Sequence, residues 1–174
     1  MLNLRNVVLL MVNTYQRAVD MLNRHLKNKI VQSNDGDYGE FINRMINGTL
    51  ELTEYENDEV TKINTYLFGR FESLTFVSFP ACTSIGAYAF DGCESLTSVS
   101  FPVCTSIGEY AFVGCMSLTS LYFIGSSVPS IASNSFAGIP STATFYVASS
   151  TVNAFKSATY WSAFASQIVA YEGE

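Results

Sequence analysis

A chain of 174 residues with 48% hydrophobic and only 14% charged side chains holds ample apolar material for a packed core and is not a disordered polymer. Its net charge of −6 is unevenly spread, residues 1–50 carrying six basic and four acidic side chains and residues 51–174 three and eleven. The acidic balance of the larger part excludes nucleic-acid binding, which needs clustered Lys and Arg against phosphate, and no run approaches the ~18 apolar residues of a membrane span.

From Leu4 to about Lys29, apolar residues recur at Val8, Val12, Tyr15, Val19, Leu22 and Leu26, spaced 4, 3, 4, 3, 4. The spacing predicts a helix with a heptad seam. Two uses of that seam stay open: packing on its own chain, or burial against another subunit. Leu9, Leu10 and Met11 add apolar surface beyond one stripe and favour the second, a homo-oligomer joined through this helix. The apolar run Val7 to Val12 is short for a signal peptide, and no small-x-small cleavage site follows it, so it is read as neither leader nor anchor. Ser33-Asn34-Asp35-Gly36 is a turn cluster. Asp37 can cap a second, short helix through Phe41, Ile42 and Met45, which Asn47-Gly48 ends. Asn47-Gly48-Thr49 matches a glycosylation sequon, but turn chemistry accounts for it.

Glu51, Glu54, Glu56, Asp58 and Glu59 follow. Their spacing does not fold carboxylates round one calcium ion, so the stretch is expected to be a solvated acidic edge that discourages edge-to-edge pairing. Beyond it the chain repeats. Ser73 onward reads SLTFVSFPACTSIGAYAFDGCE and then SLTSVSFPVCTSIGEYAFVGCM, a period of 22 residues. A period of ~20–29 residues with an L-x-x-L-x-L head marks a solenoid in which each coil contributes one short parallel strand. The inward heads are Leu74, Val77 and Phe79, then Leu96, Val99 and Phe101. A worn copy precedes them, with Leu52, Tyr55, Ile63, Tyr66 and Phe68. Another follows, with Leu118, Leu121 and Phe123, then Ile131, Phe136 and Gly138 after a two-residue insertion.

The pattern L-x-x-V-x-F-P-x-C-x-x-I-G-x-x-A-F-x-x-C resembles the BspA-like leucine-rich repeats of bacterial surface proteins and of proteins of phages that infect gut bacteria. The resemblance covers about Leu52 to Ile139 and implies a non-enzymatic, surface-displayed binding scaffold. The expected fold is α+β: a helical attachment module (1–50), a leucine-rich-repeat solenoid of about four coils with a parallel sheet (51–140), and a strand and helix cap (141–174).

Within that cap, Thr142 to Val147 alternates as a strand does, Ser149-Ser150 can cap a helix through Val152, Ala154 and Phe155, and Gln167 to Tyr171 reads as a last strand. Trp161, with Tyr160 and Phe164, is expected to seal the last apolar layer.

Reactive chemistry is sparse. The cysteines, at 82, 93, 104 and 115, fall 11 apart, but sister coils carry Val60, Phe71 and Ile139 at the same positions. A site that accepts those residues asks for an apolar side chain, which a buried free thiol supplies, so thiols are expected rather than disulfides or zinc ligands. His25 is the sole histidine and lies among Arg24, Lys27 and Lys29, remote from any nucleophile that could form a relay. Ile-Gly recurs with the solenoid period and is read as a turn. No catalytic residue, metal or cofactor is expected.

Two surfaces could receive a partner. The outward strand positions Thr75, Phe76, Ser78, Thr97, Ser98, Ser100, Thr119, Ser120 and Tyr122 form one face, hydroxyl-rich with two large aromatics. Tyr66, Tyr88 and Tyr110 form a ladder suited either to packing at a turn or to contact with sugar rings. The leading expectation is a phage virion protein: residues 1–50 bind other virion proteins or a second copy, and the solenoid faces a host surface protein or glycan. The alternatives are a bacterial cell-surface adhesin and an intracellular interaction scaffold.

Overall fold

The computed structural model describes the backbone of residues 54–56 and the whole of residues 60–173. The expected helices and the seam Val8, Val12, Tyr15, Val19, Leu22 and Leu26 lie outside the described residues.

The 22-residue repeat becomes a routine of short strand, shorter strand and turn-rich return. The longer strands are β1 (Glu54–Glu56), β3 (Phe76–Ser78), β5 (Ser98–Ser100) and β7 (Ser120–Phe123). The shorter ones are β2 (Lys62–Ile63), β4 (Ser84–Ile85), β6 (Ser106–Ile107) and β8 (Ser130–Ile131). Each coil thus contributes two strands where the repeat pattern predicts one, because the Ser-Ile pair is itself extended and pairs with its copies. Two parallel sheets result: β1-β3-β5-β7-β9-β10 and β2-β4-β6-β8, where β9 is Thr144–Ala148 and β10 is Ile168–Tyr171.

Register copies the sequence period. Val77 pairs with Val99 and Val99 with Leu121, while Ile63, Ile85, Ile107 and Ile131 form the corresponding line in the smaller sheet. The offset is 22 residues up to β7 and 24 from β6 to β8, which places the two-residue insertion between Phe123 and Ser130. The smaller sheet has four strands among the described residues. The larger sheet continues through β9 and β10, both parallel, so the segment expected as a cap extends the sheet as well as closing it.

Inward residues stack in columns. Phe68, Phe90, Phe112 and Phe136 have successive ring centroids 5.2, 5.1 and 5.3 Å apart and nearly parallel faces. Phe79, Phe101 and Phe123 form a second column at 5.8 and 6.3 Å. Each coil alone would expose these rings; stacking removes them from water, at roughly 1.5–3 kcal/mol for each large apolar side chain. The column ends on Trp161, which is buried, packs edge-on against Phe145 and Phe155, and donates its indole N–H to the Pro129 carbonyl at 2.7 Å.

Helix α1 (Val152–Ser157) lies in the closing segment as expected, but no serine caps it: its first turn has no side-chain cap. The Thr151 hydroxyl instead donates to the Ala148 carbonyl, tying a 3-10 turn (Ser149–Thr151) to the end of β9. No helix among the described residues is long and apolar enough to cross a membrane.

The Ile-Gly glycines stand directly before turns that begin at 87 and 109. Gly86 and Gly108 are not left-handed; a Cβ would sit 2.6 Å from the Thr65 or Ala87 backbone nitrogen, so glycine is there to let coils approach. The left-handed positions lie further on, at Tyr66 (φ 58), Tyr88 (φ 55) and Tyr110 (φ 54), and again at Gly92, Gly114 and Gly138. In the first coil that second column is occupied by Arg70, at φ 62.

Candidate binding surfaces

Alternation along each long strand sends Val77, Val99 and Leu121 inward and leaves their neighbours on the outer face, half-buried. Register then gathers the expected residues into rows. Phe76, Ser98 and Ser120 lie side by side, as do Ser78, Ser100 and Tyr122. The threonines behave otherwise. Thr97 donates its hydroxyl to the Thr75 carbonyl at 2.9 Å and Thr119 donates to the Thr97 carbonyl at 3.1 Å. Those hydroxyl protons staple one coil to the next and are not available to a partner, although Thr97 and Thr119 are themselves exposed.

Both rows run further than the repeat pattern alone predicts. Thr144 extends the first and Tyr146 the second. Tyr122 and Tyr146 stack at 4.8 Å with 12° between their planes, and Tyr171, from β10, meets them edge-on at 5.7 and 6.4 Å. Beside them Val169 is exposed. The C-terminal end of the outer face is thus an aromatic corner on a sheet otherwise clad in serine and threonine. Its sequence signal is present, since Tyr146 follows Tyr122 by the same 24 residues that separate Ile131 from Ile107.

On the turn side, the Tyr66, Tyr88 and Tyr110 rings stack at 4.8 and 5.1 Å. Face-to-face stacking occupies the inner faces of the column, so packing is the role of the middle ring. Desolvation, and then the charges that Tyr66, Tyr110, Glu109 and Asp91 set beside it, hold the Tyr88 phenol above its ordinary value.

The cysteines are free and buried. Each thiol also has a hydrogen-bond acceptor, which a purely apolar role does not require. Cys93 donates to the Phe68 carbonyl at 3.0 Å and Cys115 to the Phe90 carbonyl at 3.2 Å, while Cys82 and Cys104 donate to Ser84 and Ser106 carbonyls at 3.3 Å. Burial pushes all four upward in pKa, Cys93 well above the ordinary value and Cys104 and Cys115 to about 12. Neutral thiols are therefore required by the fold. The folded pKa lies above that of the unfolded chain, so the stability these groups contribute is intact below about pH 8.5 and is lost as pH rises toward 12. Native protein should resist a thiol reagent at neutral pH and expose four reactive thiols in denaturant. Reductant should leave the melting temperature unchanged, and unfolding should set in on the alkaline side. A large loss of stability in reductant would show instead that bridges, not thiols, hold the coils.

Among solved structures, the chain is similar to a leucine-rich cell surface protein of Faecalibacterium prausnitzii A2-165, at 29% identity and a TM-score of 0.48 over 71% of this chain. It spans 33% of that longer protein. None of the curated proteins matches it. Residues 48–167 match the profile described as "BspA type Leucine rich repeat region" in six copies, a span that includes every strand from β1 to β9. With more than half its length inside that match, the chain belongs to the BspA-type leucine-rich repeat family.

Proposed function

We infer that this chain is a non-enzymatic binding protein displayed at a bacterial cell surface, and that it holds a protein partner on the outer face of its six-stranded sheet. The observation that carries this reading is the corner of Tyr122, Tyr146 and Tyr171, three rings locked against one another on a rigid sheet. Tyrosines bury much apolar area at little entropic cost and keep a polar tip, which is why they recur as anchors of protein interfaces. The serine rows of the face provide a neutral rim to that corner.

Cell-surface display is preferred to the virion. The virion reading draws on the two-part charge pattern, half of which lies outside the described residues, and on the resemblance of the repeats to those of phage proteins; the surface reading is supported by the same repeat family, whose members include bacterial surface proteins. Attachment or self-association through residues 1–50 is retained as part of the proposal.

The test joins location to contact. Antibody against the solenoid should label intact producing cells, and beads coated with the chain should adhere to target cells. Replacing both Tyr122 and Tyr146 with Ser should cut that adhesion at least tenfold while leaving the fold unchanged by circular dichroism. Labelling confined to released phage particles would restore the virion reading. Undiminished adhesion by the double variant would remove the aromatic corner as the contact.

A further inference from the structure

The first described coil departs from its sisters at one place on the turn side. Where later coils read Asp91-Gly92, Val113-Gly114 and Ala137-Gly138, this one reads Gly69-Arg70. The second member of each pair is left-handed, a conformation that glycine adopts freely and that a side chain adopts at a cost. Arg70 bears that cost at φ 62. Its backbone N–H is held on the Asp91 carbonyl at 2.6 Å, and the Gly92 position, bare of a side chain, faces its stem: a Cβ there would lie 3.6 Å from Arg70 Cγ.

The missing side chain at Gly69 opens a cleft of about 190 Å³ lined by Tyr66, Gly69, Arg70 and Asp91. Gly69 stands in the column that Asp91 occupies one coil on, so the carboxylate lies where the neighbouring coil leaves space. Among the described residues, no ion pair ties Arg70 to Asp91. Tyr66 is 39% exposed, the largest exposure in its column, and among the described residues Tyr88 stacks on it from one side.

We propose that this cleft binds one neutral pyranose unit of a glycan, a site separate from the sheet face. An exposed aromatic face receives the apolar C–H side of a sugar ring, a carboxylate accepts from adjacent hydroxyls, and a guanidinium donates to ring or hydroxyl oxygens. The cleft is smaller than the ~300–1,000 Å³ of drug-sized ligand sites, so it takes a single unit. The charges select a neutral sugar. Asp91 offsets Arg70, and residues 51–174 carry eleven acidic side chains against three basic, which disfavours an anionic one.

The experiment titrates the full chain with methyl glycosides of glucose, galactose, mannose and N-acetylglucosamine, and with N-acetylneuraminic acid, following Tyr66 and Arg70 by NMR. At least one neutral glycoside should shift both residues and saturate. Arg70→Gly, which restores the residue of the sister coils, should weaken that binding at least tenfold while the melting temperature holds or rises. Asp91→Asn should weaken it also, and Tyr146→Ala, on the sheet face, should leave it unaltered. Binding that survives Arg70→Gly, tighter binding of the anionic sugar, or no shift at Tyr66 with any neutral glycoside would each overturn the proposal.

Discussion

Phe90→Ala is expected to cost about 3–5 kcal/mol, among the largest single losses available in the solenoid. The ring sits in the middle of its column, 5.2 Å from Phe68 and 5.1 Å from Phe112, and tilts against Phe101 at 6.0 Å in the second column. Removing it leaves a hole bounded by three other aromatic rings, none of which can move inward without breaking its own stack. The lining therefore forfeits its dispersion contacts as well as the transfer energy of the lost ring. Position matters as much as size. In a stack where each coil touches only its neighbours, a defect in a central coil also weakens the coupling between the two ends. A thermal or urea melt should show a drop of roughly 6–20 °C, taking 2–4 °C per kcal/mol for a chain of this length, and a broadened transition as the halves separate. Phe90→Leu should be milder, since most of the volume stays. A loss below about 1 kcal/mol would mean that the column has slack, contrary to its parallel packing.

What is legible in the sequence follows from the same geometry. In a solenoid, vertical neighbours in space are period neighbours in sequence, so aligning the two close copies with the worn ones on either side predicts the line Ile63, Ile85, Ile107 and Ile131 and the column Phe68, Phe90, Phe112 and Phe136. The insertion can be placed because the phase shift is visible in Ile131 and Phe136. The outer face is legible up to Tyr122 and then lost. Residues 142–147 read as a closing strand, and alternation alone does not say that it joins the same sheet; only the 24-residue offset of Tyr146 from Tyr122 does. Tyr146 and Tyr171 thereby drop out of the site they complete. Backbone sign is hidden for a different reason. Tyrosine carries no mark of a left-handed φ, so Tyr66, Tyr88 and Tyr110 look like ordinary turn residues, while Gly86 and Gly108, just before the turns, are there for close approach. Arg70 is recoverable: three of the four residues in its column are glycine, and the exception marks where a side chain is tolerated at a cost.

Trp161→Ala should match the Phe90 loss in size, about 3–5 kcal/mol, but differ in where the structure fails. The chain turns left-handed at Tyr160 (φ 63) and delivers the indole into the end of the column, with ring centroids 5.7 Å from Phe123, 5.5 Å from Phe136, 5.3 Å from Phe145 and 4.9 Å from Phe155. Those four rings come from the last coils and the closing helix, so one side chain joins the solenoid to the segment that ends it. Loss of the indole opens the terminal layer to water, while the coils around Phe68 and Phe90 keep their own neighbours. Hydrogen exchange should therefore show β9 and β10 losing protection while β3 to β6 retain theirs. Trp161→Phe separates packing from polarity: it keeps most of the ring contacts but withdraws the donor from the buried Pro129 carbonyl, at a cost of about 1–3 kcal/mol. If Trp161→Ala instead lowers protection evenly along the whole sheet, the solenoid folds as a single cooperative unit, and the closing segment is required for every coil rather than for the last ones.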